Sequence, residues 1–86
     1  MQIQPTWRPF SGPPDTPRSH LPDSAFAFPA ERSEPLTDAG HVRSAIARFS
    51  QVRGVTDDER DVAFANIKAA SQYYDVALRS DDWHDL

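Results

Sequence analysis

All eight prolines (Pro5, Pro9, Pro13, Pro14, Pro17, Pro22, Pro29 and Pro35) fall within the first 35 residues of an 86-residue chain. Each fixes its own φ and removes an amide donor, which defeats both a helix interior and the middle of a sheet ladder. The front of the chain is therefore expected to be extended or irregular. From Thr37 onward there is no proline, and apolar residues begin to recur at helical spacing, so a compositional boundary falls near Leu36. The reading is a proline-rich arm over residues 1–20 and a small helical domain over residues 21–86.

Val42, Ala45, Ile46 and Phe49 stand at i, i+3, i+4 and i+7, the pattern that lines one face of a helix. Thr37 or Asp38 can accept its free amides, and Gly54 can end it in the left-handed conformation. These signals predict a first helix over Asp38–Arg53, weakened near its start by Gly40. The second has the stronger start: Thr56, Asp57, Asp58 and Glu59 form a capping box with three carboxylates at the positive end of the helix dipole. Ala63, Ile67, Ala70 and Tyr74 continue it as a narrow stripe with Phe64 on its flank. A link as short as Gly54 and Val55 favours a two-helix hairpin or a helix-turn-helix-like corner.

Two short helices leave a side open. Val76, Leu78 and Trp83 read as an extended segment and a capped terminal turn that folds back as a lid. Phe26 and Phe28 read as a second cover latched over the helix pair. The expected fold is mainly α, closed by extended N- and C-terminal segments, with Phe26, Phe28, Ile46, Phe49, Ile67, Tyr74 and Trp83 as its core.

Four strings carry a resemblance: LPDSAFAFPAERSEPLTD at Leu21 to Asp38, HVRSAIARFSQV at His41 to Val52, the capping-box helix from Thr56 through IKAA to Tyr74, and the closing DDWHDL. Together they resemble an uncharacterised family of small bacterial and phage-encoded domains, a domain of unknown function. The resemblance spans Leu21 to Leu86 and carries no catalytic residues. It implies short free-standing proteins or domains attached to phage structural and capsid-maturation proteins. This chain departs from the pattern at Ser33, where lysine is frequent, and at Tyr73 and Asp75, where a basic residue and a glycine are commoner.

Chemistry-bearing constellations are sparse. The chain has no cysteine, which removes thiolate catalysis, disulfides and thiolate metal sites. His20, His41 and His84 show no metal-ligand spacing with a carboxylate, so they read as surface or capping residues. The acids Asp57, Asp58, Glu59 and Asp61 lack the alternating oxygens and the glycine of a calcium loop and read as helix capping. Ser24, Ser44, Ser50, Ser71 and Ser80 have no glycine-flanked elbow, and Gly12, Gly40 and Gly54 are too isolated for a phosphate loop. No enzyme and no cofactor is expected.

Charge is segregated. The net charge is −4, yet residues 41–53 carry Arg43, Arg48 and Arg53 and no acid, while residues 54–86 carry eight acids against three bases. Arg43 and Arg48 can face the acids of the second helix, an acidic protein partner, or nucleic acid on a helix-turn-helix-like corner. The overall acidity weighs against nucleic acid. In the arm, Trp7 and Phe10 lie outside the resemblance and read as anchors for a partner, since a proline-stiffened segment loses little entropy on binding. No apolar run approaches the ~20 residues of a membrane helix, and Met1 to Phe10 lacks the order of a secretion signal. The expectation is a non-enzymatic interaction or structural module, a phage virion or capsid accessory protein that binds a larger protein assembly through its arm. It would act in the cytoplasm of a bacterial host or in the virion. The alternative is a small regulator that binds nucleic acid through the first helix.

Overall fold

The structure is a computed structural model and describes residues 3–86. Two helices are present where the periodicity places them, α1 at Ala39–Arg48 and α2 at Asp57–Tyr73. They are joined by a two-stranded antiparallel sheet that periodicity does not reveal, β1 at Phe26–Phe28 and β2 at Ser33–Pro35, with Phe26 opposite Pro35 and Phe28 opposite Ser33. The expected helical hairpin is thus corrected to a small mixed α/β fold. Three-residue strands give no alternation, and β1 is buried at all three positions, so its pattern is the continuous apolar run of a covered strand. Pro35 is tolerated because it ends an edge strand; the next amide, Leu36, resumes the ladder by donating to the Ala25 carbonyl at 2.8 Å.

The helix ends follow their local chemistry. Asp38 caps α1 by accepting from the His41 amide at 2.7 Å. The α-helix stops at Arg48 and tightens into a 3-10 turn over Phe49–Gln51, short of the expected Arg53. Arg60 of α2 braces this end, its guanidinium donating to Phe49 O at 3.3 Å and to Val52 O at 2.9 Å. Gly54 then turns the chain with φ +75°, the region where glycine carries no Cβ penalty. At α2 the capping box is complete: Glu59 N donates to Thr56 Oγ1 at 3.1 Å, and Thr56 N donates to Glu59 Oε1 at 2.9 Å. At its far end the Val76 amide donates to Ser71 O at 2.8 Å across Asp75, whose φ is +57°. That pairing is a Schellman ending with a non-glycine residue at the left-handed position.

The main core joins Phe28, Leu36, Val42, Ala45, Phe49 and Ile67 with the small residues Ala63 and Ala70 of α2. Ile46, Tyr74 and Trp83 pack on it partly buried. Phe28 and Phe49 meet with ring centroids 5.6 Å apart. Phe26, equally buried, turns away from the helix pair into a second cluster with Leu21, Ala25 and Phe10, where the guanidinium of Arg32 lies 4.7 Å from its ring centroid. The lid forms through Trp83, which lies 5.9 Å from the Phe49 ring and donates Nε1–H to Asp61 Oδ1 at 2.7 Å.

The arm is the larger correction. Trp7, expected to await a partner, is 8 % exposed and belongs to the main core. Its Nε1–H donates to Leu36 O at 3.1 Å, and its backbone amide donates to Asn66 Oδ1 at 2.9 Å. Residues 6–8 thereby lie across β1 and α2 as part of the body, Arg8 N bonding Ser24 O at 3.0 Å.

Candidate functional site

Three segments meet around a shallow depression beside α1. Residues 10–21 of the arm bring Phe10, Pro13, Pro14, Arg18 and Leu21; β2 brings Glu34 and Pro35; the start of α1 brings Asp38 and His41. The arm turns there because Gly12 lies under the Phe10 ring, and a Cβ at that position would collide with it. Phe10, half-buried against Leu21 and Phe26, thus forms one wall of a groove of about 270 Å³. Arg18, Pro35 and His41 form the partition between this groove and a second cleft of about 370 Å³ that continues along α1 past Ser44 to Arg48.

Helix geometry explains which side chains arrive. His41, Ser44 and Arg48 stand at i, i+3 and i+7 and share one flank of α1, whereas Arg43 lies about 140° around the helix from Arg48 at 100° per residue. Arg43 and Arg48, grouped in the sequence reading, therefore point to different surroundings, and Arg48 alone of the two lines the cleft. Arg43, Arg48 and Arg53 are all exposed. Among the described residues none of the three forms an ion pair, so the expected pairing with the acids of α2 is not made.

The polar groups of the depression are partly preset. Asp38 Oδ1 holds both the His41 amide and His41 Nδ1, the latter at 2.8 Å. The His41 amide, and then its ring, keep the Asp38 carboxyl below the usual carboxylate range. Nδ1 being engaged, Nε2 is the ring nitrogen left for an incoming group. An aspartate behind an imidazole is two-thirds of a nucleophile-activating array, but among the described residues no hydroxyl or thiol is bonded to Nε2. Arg18 spends one amino group on the Arg32 carbonyl, while Arg32 donates to Asp23, Arg18 O and Leu21 O, which fixes the wall that carries Arg18. Glu34 lies in the cleft with φ +59°, directly before Pro35. A left-handed non-glycine residue costs of order 1–2 kcal/mol and persists only where its surroundings impose it.

No group of three or more histidines, cysteines or acids that could hold a metal ion is found among the described residues. Glu59 pushes the Glu31 carboxyl up, and Glu31, with the Thr56 amide, draws Glu59 down. Glu59 belongs to the α2 cap. No helix of the described residues is long and apolar enough to cross a membrane.

The sequence profile of one family matches residues 12–81. The chain belongs to DUF6582, a family of unknown function. No curated protein and no solved structure matches the chain. Arg18, Glu34, His41, Ser44 and Arg48 lie inside the span matched to DUF6582, as do Asn66 and Asp75, whereas Trp7, Phe10 and Trp83 lie outside it. Sequence reasoning overlooked Arg18 and His41 as cleft residues because a segment read as a free arm forms one wall. It also overlooked Asn66, which a sharper reading flags as the one amide beside the Ala63, Ile67 and Ala70 stripe.

Proposed function

We propose that the chain is a non-catalytic docking module that joins a larger protein assembly, in the virion setting its sequence resemblance implies: a capsid or other phage structural protein, met in the cytoplasm of a bacterial host or in the particle. The observation that carries this reading is Arg48 on α1, exposed in a chain of net charge −4, without an ion pair among the described residues, and lining a cleft continuous with a groove walled by Phe10. Unpaired guanidinium groups beside apolar surface are typical anchors of protein interfaces. Trp7, committed to the core, is no longer an anchor in this reading; Phe10 and Arg48 are.

The test is co-purification of the tagged full chain with gradient-purified particles from cells producing the phage. Recovery in fixed proportion to the capsid protein is expected, and a chain that stays at the top of the gradient overturns the virion setting.

A second reading, a regulator that contacts nucleic acid through α1, is favoured by Arg43 and Arg48, both exposed and without an ion pair among the described residues. The net charge of −4 weighs against it. Gel retardation at low salt that weakens steeply with added salt is its signature.

A further inference from the structure

The depression beside α1 has a division of labour that specifies its occupant. One half has an apolar wall of Phe10, Pro13, Pro14 and Leu21 facing the polar Thr16, Thr37 and Asp38. The other half carries Arg48, the Ser44 hydroxyl and the Glu34 carboxylate, and the two share Arg18 and His41. Both halves are open and share a partition, a shape suited to an extended chain laid across it rather than to an enclosed small molecule.

We propose that this depression binds a carboxylate-bearing, apolar-flanked segment of a protein partner. The carboxylate is held between Arg18 and Arg48 with Ser44 and His41 Nε2 in support, and the neighbouring apolar side chain lies against Phe10 and Leu21. This deepens the docking-module reading and rests on it.

Three features select a carboxylate. Arg48 makes no ion pair among the described residues, and Arg18 has guanidinium donors beyond the one given to Arg32 O, so two forks remain for one planar acceptor. Glu34 sits in the same cleft and Asp38 in the adjoining groove; both repel a dianionic phosphate more strongly than a single negative charge. The apolar wall is useful to a peptide and useless to a free inorganic anion. Glu34 further keeps the cleft from binding anions indiscriminately, and it holds its left-handed backbone within β2, directly before Pro35.

The experiment is a nitrogen-15 NMR titration of the full chain with a blocked tetrapeptide of alternating leucine and glutamate. Its glutamine isostere and inorganic phosphate at matched ionic strength serve as the comparison arms. Saturable shifts confined to Arg18, Phe10, His41, Ser44 and Arg48 are expected, with binding about tenfold weaker for the isostere. Arg48→Gln weakens the glutamate peptide about tenfold, whereas Arg43→Gln, on another side of the same helix, leaves it unchanged. Both side chains are exposed, and the unperturbed remainder of the spectrum reports that each variant folds.

Absence of shifts at millimolar peptide overturns the proposal, as does equal binding of the isostere. Phosphate binding tighter than the peptide assigns the cleft to a phosphate and also overturns it. Equal losses from Arg43→Gln and Arg48→Gln reduce the effect to diffuse charge and overturn it as well. A chain that enters particles while its cleft stays silent loses this assignment and keeps the docking reading; a cleft that binds in a chain excluded from particles keeps the assignment and loses only the virion setting.

Discussion

Asn66 Oδ1 accepts the backbone amide of Trp7 at 2.9 Å and does the work of a neighbouring strand for an arm that has none. The same oxygen accepts the Thr6 amide at 2.7 Å, and Nδ2 donates to Ala27 O in β1 at 2.9 Å and to Thr6 Oγ1 at 3.0 Å. One fully buried side chain therefore ties the arm, β1 and α2 together, with its donors and acceptors satisfied. A buried amide deprived of its partner costs ~1–3 kcal/mol. Asn66→Ala orphans the Trp7 amide and the Ala27 carbonyl, so urea titration is expected to show ~2–4 kcal/mol less stability. A variant as stable as the parent would mean that the arm is not held.

Trp7→Ala is expected to be among the most damaging substitutions in the chain. Truncating a core aromatic costs ~3–5 kcal/mol, close to the whole ~5 kcal/mol available to a domain of this size. Circular dichroism should show loss of the cooperative transition, as for Phe49→Ala and for Ile67→Asn. Trp7→Phe keeps most of the area and loses only the bond to Leu36 O, a cost of ~1 kcal/mol. Its melt should remain cooperative at a lower Tm.

Local chemistry was legible where a single turn of chain sufficed. The Thr56 to Glu59 capping box, the Asp38 cap, the turn at Gly54 and the buried stripe of α1 all follow from residues within a few positions of one another. What escaped depends on partners far apart in sequence. Trp7 looks free until Asn66, 59 positions away, is seen to receive its amide. Phe26–Phe28 becomes a strand only because Ser33–Pro35 returns beside it, and proline at both ends hides that return. The cleft is of the same kind: Arg18, Glu34 and His41 come from three segments, and no periodicity links them.

Asp75→Gly is expected to stabilise the protein. Asp75 holds the left-handed position of the α2 ending at φ +57°, where glycine meets no Cβ penalty. The gain should be ~0.5–1 kcal/mol, read as a higher urea midpoint with an unchanged slope. Asp75→Ala, lacking the local hydrogen bonding by which aspartate tolerates this region, should lose stability instead. A Gly variant no better than the parent would indicate that the C-terminal segment pulls the turn into shape on its own.

The C-terminal lid should be sensitive to pH through His84. Its ring stacks on Trp83 with centroids 3.7 Å apart, and its Nδ1 lies 2.6 Å from Asp82 Oδ1. Asp82 raises His84 above its ordinary 6.5, with smaller help from Asp57 and Asp61. The His84 amide, and then its ring, hold Asp82 below its ordinary 3.8. A histidine raised on folding contributes stability that is complete below its unfolded pKa and is lost as pH climbs through the folded one. An aspartate lowered on folding contributes above its unfolded pKa and loses that contribution as pH falls through the folded one. The two conditions overlap between about pH 4 and pH 6.5, where both partners are charged. Both side chains are exposed, so solvent and salt screen the pair and its effect is modest. The comparison that isolates it is the Tm of the parent minus that of His84→Gln, followed from pH 3 to pH 9 at low salt. This difference should be largest inside the window, shrink on both sides of it and collapse in high salt. A difference that is constant with pH would assign His84 to stacking on Trp83 alone, leaving the Trp83 bond to Asp61 and its packing on Phe49 as what closes the lid.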